Sequence, residues 1–128
     1  MGQKKIFVVD DQEEILSLLK DFLTGHGFNV TTSKEPKSVV NRIKSLQPDL
    51  ILLDLLMPAL GGFDICEILN SDPQTRGIPI IAMSGLNDLV DIKKAYKLGI
   101  VGYLAKPFAL EELLREVNKC LENKEKLH

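Results

Sequence analysis

The stretch ILLDLLMP, Ile51 to Pro58, sets one carboxylate inside an apolar run. An ionised Asp on a buried strand is costly unless something pairs with it, so Asp54 either ends its strand at the water or meets partners there. The surrounding pattern decides between these. Short β-rich apolar runs alternate with longer segments of helical period, the signature of βα units and a parallel sheet. The strand runs are KKIFVVD (4–10), FNVTTS (28–33), DLILLD (49–54), IPIIAMS (78–84) and GYLAK (102–106). Between them, Ile15, Leu18, Leu19, Phe22 and Leu23 trace a one-sided helix ending at Gly25. Val39, Val40 and Ile43 mark a second helix opened by Pro36, and Phe63, Cys66 and Leu69 a third. A fourth, over about 87–98, carries Leu89, Ile92 and Tyr96 on one side against Lys93, Lys94 and Lys97 on the other. Leu110, Leu113, Leu114, Val117 and Leu121 form the stripe of the fifth. The expected fold is a single doubly wound α/β domain over residues 1–128, with a five-stranded parallel sheet and five helices.

Right-handed crossovers put every strand's carboxyl end on one edge, and ligands bind there where the strand order reverses. In the flavodoxin-like order 2-1-3-4-5 the first and third strands are neighbours at that point. Asp10 and Asp11 close the first, and Asp54 closes the third. Such carboxylates repel by roughly 4 kcal/mol per close pair at an effective dielectric of about 20. A cation is the natural remedy, and oxygen donors without His or Cys nearby favour Mg²⁺. Ser84 and Lys106 end the fourth and fifth strands on the same edge. A hydroxyl, an ammonium and a divalent ion around one Asp describe a site for phosphoryl oxygens.

Taken singly, each residue has a plainer role: Asp10 and Asp11 as helix caps, Ser84 as a turn residue, Lys106 as a surface cation, Tyr103 as an edge aromatic. Jointly, and in this order, VVDD, LLDLLMP, AMSG and YLAKPF make the chain, from about Lys4 to Leu121, resemble a response-regulator receiver domain of two-component signalling. The resemblance implies that Asp54 accepts a phosphoryl group from a phosphohistidine of a sensor histidine kinase or phosphotransfer protein. It implies that Asp11, Asp54 and the backbone carbonyl of Leu56 bind Mg²⁺, with Asp10 acting mainly through water. Lys106 and Ser84 would contact the phosphoryl oxygens, and Tyr103 would turn inward as Ser84 moves. The Lys106-Pro107 bond would be cis. Leu56 and Leu86 would flank the path of the hydrolytic water. The implied product is a signalling switch that catalyses only its own phosphorylation and dephosphorylation.

Gly61 stands where the family usually has Asp, which alters entry into the third helix. Ile100 and Val101 occupy a loop position that is commonly small or polar, and either add apolar area to the face of the fourth helix, fifth strand and fifth helix or simply pack under the loop. That face would bind a downstream effector or a second copy of the chain as a homodimer.

Two other classes share parts of the pattern. An aspartyl phosphohydrolase carries its nucleophile as Asp-x-Asp on the first strand, whereas Asp10 and Asp11 are adjacent. A flavin-binding domain wants a Ser/Thr/Gly-rich loop where DDQEEI stands.

Composition sets the outer bounds. With 128 residues, 45% hydrophobic and 27% charged, the chain suits one soluble globular domain. Sixteen Lys plus Arg against eighteen Asp plus Glu, a net charge of −2, provide no field for a polyphosphate backbone, so no nucleic acid is expected on this domain itself. No apolar run is long enough to cross a membrane. MGQKK lacks the apolar region of a signal peptide, which points to the cytoplasm. Cys66 and Cys120 lack metal-ligand spacing and are read as helix packing residues; His26 is read as a loop residue.

Overall fold

The protein is described by a computed structural model over residues 2–57, 61–85 and 88–126, the side chains of 124–126 excepted. Pro58 of the Met-Pro string and Leu86 lie outside the described residues.

Strands β1 (Lys5–Val9), β2 (Asn29–Ser33), β3 (Leu50–Asp54), β4 (Ile80–Ser84) and β5 (Gly102–Ala105) form one sheet, all parallel, in the order β2-β1-β3-β4-β5. Helices α1 (Glu13–Gly25), α2 (Pro36–Leu46), α3 (Gly62–Ser71), α4 (Leu89–Lys97) and α5 (Leu110–Lys126) alternate with the strands. This is the expected doubly wound α/β architecture. The sheet is buried on both faces, which is why β3 reads as an unbroken apolar run. Phe7, Val9, Ile51, Leu53 and Ala82 pack with Val39 and Ile43 of α2, Ile65, Cys66 and Leu69 of α3, and Ala95 of α4. The alternate residues Ile6, Val8, Leu50, Leu52, Ile81 and Met83 pack with Leu16, Leu19 and Leu23 of α1 and Leu113, Val117 and Leu121 of α5. The two-residue period of the strand sorts one run of leucines into two cores.

Two helix faces and one loop differ from expectation. On α1 the buried row is Leu16, Leu19 and Leu23, while Leu18 is 52% exposed. Leu18 lies about 200° round the helix from Leu16, so burying one turns the other to water. On α4 the only buried residue is Ala95, and Leu89, Val90 and Tyr96 are exposed. A small side chain brings this helix onto the core and leaves its larger apolar residues outside. Lys94 adds a contact across the gap, its ammonium 4.8 Å from the centre of the Phe63 ring on α3. In the loop before β5, Ile100 packs inward at 4% exposure and only Val101, at 57%, adds to the surface. The expected apolar pair is therefore a single residue.

Local signals account for the element ends. Pro36 opens α2, Asp88 caps α4 by accepting from the Val90 N–H, and Gly99 takes a positive φ after α4, where any Cβ would also collide with the Asn70 side chain. Among the described residues, no helix is long and apolar enough to cross a membrane. Cys66 is buried as expected, and burial pushes its thiol up to about 11. His26 follows α1, its ring 4.7 Å from that of Phe22.

The two leucine positions separate core from surface. Leu52→Ala should lower unfolding stability by about 3–4 kcal/mol through transfer and cavity terms, and Leu18→Ala by less than about 0.5 kcal/mol. Urea denaturation of both variants measures the difference.

Candidate functional site

The topology carries Asp10, Asp11 and Asp54 to one place. β1 pairs with β3 in parallel register, Val9 opposite Leu53, so the residues that follow emerge side by side at the carboxyl edge. One ligand oxygen from each of the three carboxylates lies within 4.8 Å of the others. Asp10 is fully buried and Asp54 is 3% exposed, whereas Asp11 faces solvent.

Each buried oxygen has a partner. Asp10 Oδ1 accepts from the Gln12 N–H at 2.9 Å, and Asp10 Oδ2 accepts from Lys106 Nζ at 2.7 Å. Asp54 Oδ1 accepts from the Leu56 N–H at 3.0 Å, and its Oδ2 lies 3.6 Å from Lys106 Nζ. The Asp10 carboxylate is thus occupied with the loop before α1 and with Lys106, and α1 itself has no side-chain cap. The plain capping role considered for Asp10 does not describe it.

Lys106 reaches the cluster because β5 ends beside β4: its backbone N–H donates to the Ser84 carbonyl at 2.8 Å, and Ser84 pairs with Ala105. Its bond to Pro107 is cis, as the resemblance implied. Ser84 is fully buried at the end of β4, one residue beyond Met83, which pairs with Asp54. Tyr103 pairs with Ala82 in β5 and is half-buried against the core on the α2, α3 and α4 side. The Leu56 side chain is 50% exposed at the site's rim.

Three carboxylates meet one ammonium, so two negative charges stay uncompensated when all are ionised. Burial, opposed by the Leu56 hydrogen bond and aggravated by the Asp10 charge, raises the Asp54 carboxyl to about 6. The donor set is all oxygen, which fits a hard divalent cation.

Sequence reasoning passed over Gly62. Its N–H donates to the Leu55 carbonyl at 3.2 Å, and a Cβ there would overlap the backbone of Asp54 and Leu55. The start of α3 can brace the strand end only because this residue has no side chain. The GG pair at 61 and 62 was the available signal. Gly61 is the N-cap of α3 and provides no side-chain hydrogen bond, the consequence of its departure from the usual Asp.

An acidic cluster with Asp10 and Asp54 buried and Asp11 at its solvent side, answered by a lysine at the switch point of a flavodoxin-like sheet, defines the class of α/β domain. The family model described as the response regulator receiver domain matches residues 6–118, and the chain belongs to that family. It is 32% identical over 123 residues to the DNA-binding response regulator MtrA of Mycolicibacterium smegmatis, covering 96% of this chain and 53% of the relative. It is also 32% identical to the master transcriptional regulator RpaA of Synechocystis, covering 96% of this chain and 51% of the relative. The chain spans about half the length of these curated relatives. Among solved structures, the receiver domain of the Francisella response regulator 1452 aligns with a TM-score of 0.87 at 29% identity, covering 94% of this chain and 98% of that one. Receiver domains are signalling switches.

A carboxyl whose folded value lies above its unfolded one holds its proton more tightly in the fold. Asp54 therefore takes stability away as pH rises from 3.8 towards about 6, and the loss is complete above that window. Asp54→Asn should accordingly unfold at higher denaturant than wild type at pH 7, by roughly 3 kcal/mol at most, the advantage vanishing below about pH 4. Paired urea titrations across pH 4–8, without divalent cations, measure it.

Proposed function

We propose that this domain is a phosphorylation-controlled switch in which Asp54 accepts a phosphoryl group from the phosphohistidine of a sensor histidine kinase or phosphotransfer protein. The observation that carries the reading is Lys106 Nζ placed between Asp10 and Asp54, with Asp54 oriented by the Leu56 N–H. The Asp54 oxygen beside the ammonium is the one Leu56 leaves unbound, so nucleophile and cation face the same space. As the O–P bond of the acyl phosphate forms, the donor's N–P bond breaks and imidazole leaves with a proton. Lys106 meets the developing charge on the phosphoryl oxygens, and Ser84 donates a hydrogen bond to them. Asp11, Asp54 and the Leu56 carbonyl, with Asp10 acting mainly through water, would hold Mg²⁺, which would supply further positive charge to the site. The domain turns over no other substrate.

Movement of Ser84 towards the phosphate lets Tyr103 turn in and reshapes the face of α4, β5 and α5. Exposed Leu89, Val90, Tyr96 and Val101 give that face apolar area for an effector or a second copy of the chain. A net charge of −2 gives the chain no general attraction for nucleic acid, and the reading assigns it no such contact.

Acetyl phosphate with Mg²⁺ should add one phosphoryl group to wild type and none to Asp54→Asn, and EDTA should abolish the gain. Intact mass spectrometry reads all three; an equally labelled Asn variant would remove Asp54 from its role. Half-exposed Leu56 cannot hydrogen-bond a hydrolytic water and crowds its approach. The acyl phosphate should therefore persist about tenfold longer in wild type than in a Leu56→Asn, Leu86→Glu double variant, or roughly 1.4 kcal/mol of barrier. Phosphoryl loss at fixed Mg²⁺ gives the ratio.

A further inference from the structure

At the sheet edge opposite the carboxylates, a cavity of about 310 Å³ opens between the amino ends of β4 and β5 and the second half of α5. Its floor is apolar. Ile78 and Ile81 are buried, Gly102 opens β5 without a side chain, and Cys120 of α5 closes the far wall. Gly102 adds no side chain to this space: a Cβ there would stand 3.4 Å from Ile81 and 3.7 Å from Glu116 Oε2. That second distance also locates the Glu116 carboxylate above the floor rather than out in solvent. Arg76, before β4, and Lys119, one turn on from Glu116, line the same cavity and are exposed. Neither these two cations nor Glu116 has an ion-pair or hydrogen-bond partner among the described residues.

A space of this size is about ten times the share of liquid volume that one water takes, and water over its isoleucine floor has fewer hydrogen-bond partners than in bulk. Displacing it with an apolar body is favourable. The size matches the lower end of small-molecule sites, which combine apolar walls with a few polar groups that set orientation. Here those groups carry both signs. A simple carboxylic acid would satisfy Arg76 and Lys119 but meet Glu116 as a like charge, and a simple amine would do the reverse. One small molecule answers all three charges and the floor together. We propose that this cavity binds a free α-amino acid with an apolar side chain, its ammonium on Glu116, its carboxylate on Arg76 and Lys119, and its side chain over Ile78, Ile81 and Gly102.

The test is nuclear magnetic resonance titration of the ¹⁵N-labelled chain with L-leucine, isovalerate and isoamylamine, which share the branched apolar body and differ in charge. L-Leucine should give saturable shifts centred on the Ile81, Gly102 and Cys120 amides, with a dissociation constant near about 1 mM. The two singly charged probes should bind at least about tenfold more weakly, since each gives up one of the two charge-assisted contacts that L-leucine makes. Arg76→Gln, at an exposed position that leaves the core untouched, and Glu116→Gln should each weaken L-leucine by a similar factor. Gly102→Ala, which puts a methyl on the floor at ordinary contact distance, should weaken it further. Absence of saturable shifts with L-leucine, equal binding of isovalerate, or unchanged affinity in Arg76→Gln would each overturn the proposal.

Discussion

The ammonium of Lys106 stands between carboxylates that the sheet forces together. Asp10 and Asp54 cannot avoid one another once β1 and β3 pair in register, and Asp10 has no exposure through which water could share its charge. A direct bond of 2.7 Å to Asp10 and a longer approach of 3.6 Å to Asp54 divide one positive charge unequally. The shortfall falls on Asp54, whose carboxyl rises to about 6 chiefly because burial is not matched by partners. A buried acid held near its ionisation point is unstable as structure, and an incoming cation would offset the charge that folding leaves uncompensated.

The rest of the domain can be understood as support for that cluster. Parallel pairing aligns the strand ends, two helices on one face and three on the other make the sheet rigid, and alternation within each strand supplies both cores from a single run. The loops that carry the site are short and held by hydrogen bonds from backbone N–H groups: Gln12 to the Asp10 carboxylate, Leu56 to the Asp54 carboxylate, Lys106 to the Ser84 carbonyl. Gly62 completes the support by letting α3 begin against the backbone of the strand that ends in Asp54. By contrast α4, anchored by Ala95 and by Lys94 over Phe63, is the least embedded helix and leaves Leu89, Val90 and Tyr96 at the surface. A helix so lightly held is the one that can shift at small expense in core packing.

Much of this was legible in the amino-acid sequence. Asp54 within ILLDLLMP, the acidic pair after VV, and Ser84 and Lys106 at successive strand ends specify both topology and site, because period-2 and period-3.6 apolar patterns sort the chain into βα units and parallel winding sends every strand end to one edge. Composition and spacing suffice for that, since they act through local geometry. Other features depended on distances between segments remote in sequence. Periodicity alone could not tell Leu16 from Leu18, because α1 carries apolar residues on more than one face and only docking on the sheet selects the buried row. The same holds for Ala95 in place of Leu89 and Tyr96, and for Ile100 turning in while Val101 stays out. How Lys106 divides its charge between Asp10 and Asp54, and the cavity beside α5, were likewise decided by tertiary structure, because electrostatic coupling and packing voids depend on the spacing of atoms that local pattern does not encode.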